Sequence, residues 1–374
     1  MAVVDSKRIY ILGAGGSIGH SNGLFPSIAE FFSSAKILGI DLKRDFERLF
    51  DYTKSEFGRS ILRRQERINI EDILTHLEIE IEKRATFDLL EVRQQLLTLI
   101  RDVLLGLELK LPGAPGQYNA LSERLQDNDT IITFNWDLIL DNILDRAIIL
   151  NDINDKKPRT KSKRPHYQNF IENLSAYSEW IWAHMTTAKP FSSWSSNIGY
   201  SLKLHGSIDW FYCPNENCRS WHKVFPQLDP LKTYQCGECY EAMECLLIPP
   251  TLNKRYRQYP LIQRIWNLAA QEIQSAKELV IWGYSLPPTD FYSLWLIRQA
   301  RKLPIESLII INREIVNNQY NVRVEFVRHI YNLFRDRVSK DSLHLFENFD
   351  DYCGGISIFD KHSTIDKVKI LKRL

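Results

Sequence analysis

Short apolar segments recur along the chain, and each is followed by a glycine or a polar residue. Runs of this kind predict buried β-strands. They fall at Arg8–Leu12, Thr130–Phe134, Tyr200–Leu204, Glu278–Trp282 and Leu308–Ile311. Between them, apolar residues repeat at helical spacing, as near Leu261–Ser275. This alternation of strands and helices predicts an α/β fold with a parallel sheet that is covered on both faces.

The longest helical stretch follows the first predicted strand. Leu42, Phe46 and Leu49 recur at a period of 3.6 residues, and the pattern continues to a segment rich in proline and glycine. We therefore expect a helical insertion over residues 42–111. Residues 315–374 form a C-terminal extension of mixed character, and we expect residues 1–374 to make a single catalytic domain.

Composition narrows the possible functions. The 374 residues carry 48 Lys and Arg against 46 Asp and Glu, and a net charge of +2 argues against a general nucleic-acid or membrane-surface binder. No apolar run is long enough to span a bilayer, so we expect a cytoplasmic protein without membrane contact. The basic segment Lys156–Arg164 is interpreted as a solvated loop, with contact to phosphates or to an acidic partner as the alternative.

Polar side chains cluster where the predicted strands end. Asn135, Asp137, His205, Ser285 and Asn312 all lie at or just after a predicted strand. In open parallel sheets this carboxyl edge is where ligands bind. Asn135, Asp137 and His205 can together orient a ribose and a water molecule and accept a proton near pH 7. The sequence contains no Ser-His-Asp arrangement, no G-x-S-x-G motif, no Walker P-loop and no metal-dependent hydrolase motif.

The first strand runs into a glycine turn. Gly13 and Gly15 permit a tight turn and the close backbone approach that a pyrophosphate needs. The third glycine is Gly19, so the spacing differs from that of the dehydrogenase fingerprint. A second strand ending at Asp41, which would supply the ribose-binding acid of a dehydrogenase, is a minor alternative.

Four of the six cysteines have the spacing of a metal site. Cys213 and Cys218 form one C-x4-C pair, and Cys236 and Cys239 form one C-x2-C pair. Four thiolates at this spacing suit a closed, tetrahedral structural zinc site, here in an inserted zinc ribbon over residues 207–248. His222 and Cys245 lie near enough in sequence to replace one ligand.

The ordered set of these motifs resembles the sirtuin family. The matching segments are Gly13-Ala-Gly-Gly-Ser17, Thr133-Phe-Asn135-Trp-Asp137, Leu204-His205-Gly206, the four cysteines, Gly283-Tyr-Ser285 and Ile311-Asn312. The resemblance implies a Rossmann-like domain with an inserted zinc ribbon, which binds NAD+ and cleaves its nicotinamide–ribose bond.

The resemblance also implies roles for individual residues. Gly13, Ala14, Gly15 and Ser17 would line the phosphate and ribose site. Asn135 and Asp137 would lie by the nicotinamide ribose, and His205 would be the catalytic base. Gly283, Ser285 and Asn312 would contact the adenosine half.

The chain departs from protein-deacetylating sirtuins at two places. The segment after Ser21 lacks their Asp-Phe-Arg triplet, and Leu246–Lys254 replaces the segments that clamp an acetyl-lysine peptide. Three further segments resemble the sirtuin-like domains of bacterial antiphage systems: Ile248–Thr251, Gly283–Asp290 and the predicted helix Asn69–Leu74. Within Gly283–Asp290, Asp290 itself is interpreted as a helix N-cap.

The antiphage resemblance implies an NAD+ hydrolase that acts as a defence effector by NAD+ depletion, as in abortive infection. A protein-lysine deacylase and a non-catalytic module that binds NAD+ or ADP-ribose are the alternatives. Because an uncontrolled NAD+ hydrolase would kill its host, we expect a homo-oligomer or a separately encoded partner. The resemblance suggests a HerA-type ATPase or an Argonaute-type sensor as that partner, and we expect no direct nucleic-acid binding.

Overall fold

The computed structural model describes residues 7–61, 68–126, 128–144, 200–221, 223–225, 228–249, 258–287, 290–302, 304–317 and 321–374. The basic segment Lys156–Arg164 and the alternative zinc ligand His222 lie outside these ranges. None of the helices within them is long and apolar enough to cross a bilayer.

A six-stranded parallel sheet forms the centre of the protein. Its strands are β1 (Arg8–Leu12), β2 (Thr130–Thr133), β3 (Ser201–Lys203), β7 (Glu278–Trp282), β8 (Ser307–Ile311) and β9 (Leu343–Phe346), in the spatial order β3-β2-β1-β7-β8-β9. The chain runs outward from β1 in one direction and from β7 in the other, so the order reverses between these two neighbours. This confirms the predicted α/β, Rossmann-like fold, and it places the ligand-binding crevice of such sheets at the carboxyl ends of β1 and β7.

Helices cover both faces of the sheet. They are α1 (Ala14–His20), α2 (Phe31–Ile37), α3 (Leu42–Asp45), α4 (Glu47–Phe57), α5 (Ile70–Lys83), α6 (Phe87–Glu108), α7 (Gln117–Arg124), α8 (Pro260–Gln274), α9 (Phe291–Arg298), α10 (Val324–Asn332), α11 (Phe349–Gly354), α12 (Ile358–Lys361) and α13 (Lys367–Arg373). Successive residues of a strand point to opposite faces, so Ile9 and Ile11 enter one apolar core with α8 while Tyr10 and Leu12 enter the other with α4 to α6.

Side-chain N-caps mark where helices α3 and α5 of the insertion begin. The side chain of Asn69 accepts the backbone N–H of Glu71 at 2.8 Å, so α5 begins as the sequence predicts. The alternative of a second strand that ends at Asp41 is wrong, because the described chain forms no strand between β1 and Asp41. Helix α2 ends only four residues before Asp41, whose carboxylate accepts the N–H groups of Lys43 and Arg44 and caps α3.

A smaller antiparallel sheet follows β3. It contains β5 (Val224–Phe225), β4 (Gly206–Tyr212) and β6 (Glu244–Leu247), in that spatial order. The four cysteines lie in the segments that follow β4 and precede β6.

The C-terminal region completes the parallel sheet. Strand β9 pairs in parallel with β8, from Leu308 opposite Leu343 to Ile311 opposite Phe346. The strand was missed by sequence reasoning because it has only four residues and the exposed His344 interrupts its apolar pattern. The division of the chain into a catalytic domain, two insertions and an extension stays a prediction.

Candidate functional site

A pocket opens at the carboxyl edge of the parallel sheet, beside the reversal in strand order. It has a volume of about 190 Å³, below the roughly 300–1,000 Å³ of sites for drug-sized ligands. A dinucleotide would therefore place one end in the pocket and extend out of it. The polar and charged residues of its lining are Ser17, Ser27, Glu71, Asn135, Trp136, Asp137, His205, Tyr284, Ser285 and Asp290.

Two glycine-containing turns meet beside this pocket. Gly283 has φ +62°, and a Cβ there would lie 2.3 Å from the backbone nitrogen of Gly16. A Cβ on Gly13 or Gly15 would come within 2.7 Å of Gly283. These glycines therefore let the turn after β1 pack against the turn after β7. Gly13, Gly283 and the exposed Ala14 line the pocket, whereas Gly15 is not among its lining residues.

Asn135 and Asp137 are joined through Ser17. The Ser17 hydroxyl donates to Asp137 Oδ2 at 2.8 Å, and Asn135 Nδ2 donates to Ser17 Oγ at 3.0 Å. Asn135 Nδ2 also donates to the backbone oxygen of Gly13 at 3.1 Å, and the Tyr118 hydroxyl lies 3.1 Å from Ser17 Oγ. These contacts fix the amide of Asn135 at the pocket wall, and they use its nitrogen rather than its oxygen.

The carboxylate of Asp137 lies in a buried, charged environment. Burial raises the pKa of Asp137, while the Lys203 ammonium and the hydrogen bond from Ser17 oppose the rise. Lys203 is itself buried, and its Nζ donates to the backbone oxygen of Asp137 at 2.6 Å and to Asp141 at 2.8 Å. The ammonium thus holds the segment after β2 in place.

His205 also lines the pocket. Its backbone oxygen accepts the Trp136 indole N–H at 3.1 Å and the N–H of Ile248 at 2.9 Å, which fixes the end of β3. Its ring packs edge-on against Phe134, with centroids 5.0 Å apart. Nε2 of His205 lies 3.8 Å from Oδ2 of Asp290, and both side chains are almost completely buried.

The structure does not bring all of the predicted residues together. Asn135, Asp137, His205 and Ser285 line one pocket, but Asn312 is not in its lining. Asn312 instead caps the turn after β8, where its side chain accepts the N–H of Glu314 at 2.9 Å. Contact between Asn312 and a ligand therefore stays a prediction.

Among the lining residues that the sequence did not predict as site residues are Asp290, Glu71 and Tyr284. Asp290 does cap α9 as predicted, accepting the N–H of Ser293 at 3.2 Å, but its carboxylate also faces His205. Glu71 enters from the first turn of α5, and Tyr284 stacks on Phe134 with centroids 4.4 Å apart. Only the position of Asp290, just beyond a strand end, hinted at a role; the other two depend on contacts between distant segments.

The four cysteines form a second centre, away from the pocket. Their Sγ atoms all lie within 4.8 Å of one another, with Cys213 and Cys239 at 3.6 Å and Cys218 and Cys236 at 3.7 Å. Tetrahedral zinc–thiolate bonds of about 2.3 Å require sulfur separations of about 3.8 Å. The donors therefore fit a structural zinc ion.

Local chemistry supports the same ligand set. The pKa of Cys236 is lowered to about 6: burial opposes the shift, but the N–H groups of Glu238 and Cys239 donate to the sulfur. Cys245, the alternative ligand, instead donates from its thiol to the backbone oxygens of Ser207 and Ile208, each at 3.5 Å. Burial raises the pKa of Cys245, as it also does that of Cys213 within the cluster, so the ligand set is assigned from the sulfur distances and these hydrogen bonds rather than from pKa.

Comparison with known proteins gives structural similarity only. No protein-family model and no curated protein sequence matches the chain. A Sir2 homologue in complex with NAD is 12% identical, with a TM-score of 0.36 and coverage of 88% of this chain and 91% of that one. A mutant Sir2 homologue bound to ADP-ribose is 14% identical, with a TM-score of 0.33 and coverage of 90% and 96%. A structure that describes the mechanism and regulation of Sir2 enzymes is 13% identical, with a TM-score of 0.35 and coverage of 98% of this chain and 94% of that one. Identities and TM-scores this low carry no conclusion about function, which is therefore inferred from the pocket.

Proposed function

We propose that the protein is an NAD+ glycohydrolase, which converts NAD+ and water to nicotinamide and ADP-ribose. The observation that carries this proposal is the charge of the pocket. Glu71, Asp137 and Asp290 line it with three carboxylates, and no Lys or Arg is among the described lining residues. Such a site favours a cation, which is the character of the pyridinium ring of NAD+ and of the oxocarbenium-like state in which its glycosidic bond breaks.

Different residues of the pocket act at different points of the reaction. The bond between ribose C1 and the pyridinium nitrogen breaks, and its electron pair neutralises the ring, so nicotinamide leaves without acid assistance. Asn135, fixed through Gly13 and Ser17, positions the ribose hydroxyls or the attacking water. Asp137 holds Ser17, and through it Asn135. His205 takes up the proton that the water loses as the new C–O bond forms.

The glycine turns supply the outer part of the binding site. Gly13, the exposed Ala14 and the exposed Ser285 all line the pocket. We assign the diphosphate of NAD+ to the turn after β1, and the adenosine half to Gly283, Ser285 and Asn312. The steric role of Gly15 and Gly283 is compatible with this assignment, because their close contact brings the two turns to one edge.

Product analysis tests the proposal. The purified protein is incubated with NAD+, with and without an acetyl-lysine peptide, and the products are separated by mass. We expect nicotinamide and ADP-ribose in equal amounts, independent of the peptide. Acetyl-ADP-ribose that appears only with peptide would instead establish the deacylase. NAD+ binding without turnover would fit both a binding module and a hydrolase that awaits its activating partner.

A matched pair of variants ties the products to the pocket. Asn135→Ala removes the amide at the pocket wall and should reduce turnover by about 10²-fold or more. Asn142→Ala makes the same change at an exposed residue outside the lining and should leave turnover unchanged. Equal turnover by both variants would contradict the assignment of Asn135.

At the level of the cell, we propose that the hydrolase is an effector of bacterial antiphage defence. Support comes from the resemblance of its Ile248–Thr251, Gly283–Asp290 and Asn69–Leu74 segments to sirtuin-like defence domains. Control then comes from homo-oligomerisation or from a separately encoded sensor such as a HerA-type ATPase. A protein that is monomeric by light scattering and that hydrolyses NAD+ at its full rate without a partner would contradict this mode of control.

A further inference from the structure

A buried carboxylate faces the imidazole of the pocket from the start of α9. Asp290 has no exposed side-chain surface, and His205 has 4%. Their closest atoms, Oδ2 and Nε2, are 3.8 Å apart. This distance suits an ion pair but exceeds a direct hydrogen bond, and such catalytic contacts are often longer in the absence of substrate.

The carboxylate is held by its own set of donors. Oδ2 of Asp290 accepts the Tyr284 hydroxyl at 2.9 Å and the Ser293 hydroxyl at 2.5 Å, while Oδ1 accepts the Ser293 N–H at 3.2 Å. Three donors directed at one carboxyl group suit an ionised acceptor of fixed orientation. A helix N-cap needs only the last of these bonds, so the two hydroxyl contacts call for another explanation.

We propose that Asp290 is a positioning residue for His205 in the NAD+ hydrolase reaction. Its carboxylate holds the ring proton on Nε2, which makes Nδ1 the basic nitrogen of the neutral ring. When His205 accepts the proton lost by water, Asp290 stabilises the resulting imidazolium. This inference rests on the proposed function for its catalytic part, whereas the pairing of the two side chains can be tested without turnover.

The variant Asp290→Asn separates this role from that of a helix cap. Asparagine caps helices as well as aspartate does, so the fold should be retained while the charge is lost. Asp366→Asn is the matched control, because Asp366 caps α13 through the N–H of Lys369 at 3.0 Å and is not in the pocket lining. Both variants should keep a thermal midpoint close to that of the wild type.

Kinetics give the first readout. For Asp290→Asn we expect kcat for NAD+ hydrolysis to fall by about 10²-fold, with KM changed less than about threefold. Loss of the negative charge makes the imidazolium easier to deprotonate, so the acidic limb of kcat against pH should move to lower pH. The other titratable groups in the lining, Glu71, Asp137 and Tyr284, are retained in both variants. Unchanged kcat, or a fall in kcat with no shift of the limb, would overturn the proposal.

Nuclear magnetic resonance of protein labelled at histidine gives a readout that needs no turnover. The His205 signal is assigned by its loss in His205→Gln. We expect the acid dissociation constant of this ring to increase about tenfold in Asp290→Asn and to stay unchanged in Asp366→Asn. An unchanged His205 titration would overturn the pairing. A shifted titration in a protein that does not cleave NAD+ would instead support the pairing and contradict the proposed function.

Discussion

Arg93 of α6 forms an ion pair with Glu244 of β6, and this pair joins the helical insertion to the small antiparallel sheet. The same guanidinium also binds Glu78 of α5 at 2.6 Å and the Tyr212 hydroxyl at 3.0 Å. Burial disfavours the charge, but the two carboxylates outweigh it and raise the pKa of Arg93. One buried cation therefore joins α6 to α5, β4 and β6.

Removing this cation should destabilise the fold strongly. Arg93→Ala leaves two carboxylates without their partner, at a cost of about 3–5 kcal/mol in the free energy of unfolding. Urea denaturation measures the change. The double variant Arg93→Met with Glu244→Gln removes the cation and one of its two carboxylates, so only Glu78 loses its partner, and it should lose less stability than Arg93→Ala. An equal or greater loss would show that packing, rather than the charge, holds the segments.

The contact between the two glycine turns should be intolerant of any side chain. In Gly283→Ala the new Cβ would lie 2.3 Å from the nitrogen of Gly16, in a left-handed backbone conformation that alanine disfavours. We expect weaker NAD+ binding by calorimetry and a lower thermal midpoint. Gly113→Ala is the control, since no atom lies within 4 Å of its new Cβ. Equal behaviour of the two variants would contradict the steric role of Gly283.

The cysteine centre should bind one zinc ion per chain and act only on stability. Cys236→Ser removes a ligand, whereas Cys245→Ser changes a thiol outside the cluster. We expect zinc loss and a lower thermal midpoint in Cys236→Ser, and full zinc content by metal analysis in Cys245→Ser. Zinc loss in Cys245→Ser would show that the ligand set is wrong.

Stability should fall as the pH rises towards neutrality, because of Glu108. Burial raises the pKa of Glu108 to about 7, despite a hydrogen bond from Asn142 and the charge of Lys203. Since the unfolded carboxyl group titrates near pH 4.5, the folded state binds more protons between about pH 4.5 and 7, and stability is lost with rising pH across that window. Glu108→Gln should flatten this part of the stability curve in urea denaturation at several pH values. An equally steep decline in the variant would contradict the assignment to Glu108.

The sheet was largely predictable because its inner strands are continuous apolar runs. Strands such as β1 and β8 are buried on both faces, so their sequences show no polar interruption. The edge strand β9 carries the exposed His344 and was not recognisable in this way. The helical insertion was recognisable from the period of its apolar residues, and Asn69 marked the start of α5.

The site was only partly predictable. The rule that polar residues gather at the carboxyl edge placed Asn135, Asp137 and His205 in one pocket. The same rule included Asn312, which lies after β8, one strand further from the reversal in strand order, and outside the lining. The facing of Asp290 and His205 depends on how two loops fold together, and no local pattern encodes it.

The rate of nicotinamide release from NAD+ by the wild type, by His205→Ala and by His344→Ala tests the central claim most directly. His344 is exposed on β9, so its variant controls for the loss of an imidazole elsewhere. We predict that the wild type and His344→Ala release nicotinamide and ADP-ribose at the same rate, and that His205→Ala is slower by about 10²-fold or more. Nicotinamide release by His205→Ala at the wild-type rate would contradict the assignment of this pocket as an NAD+ hydrolase site.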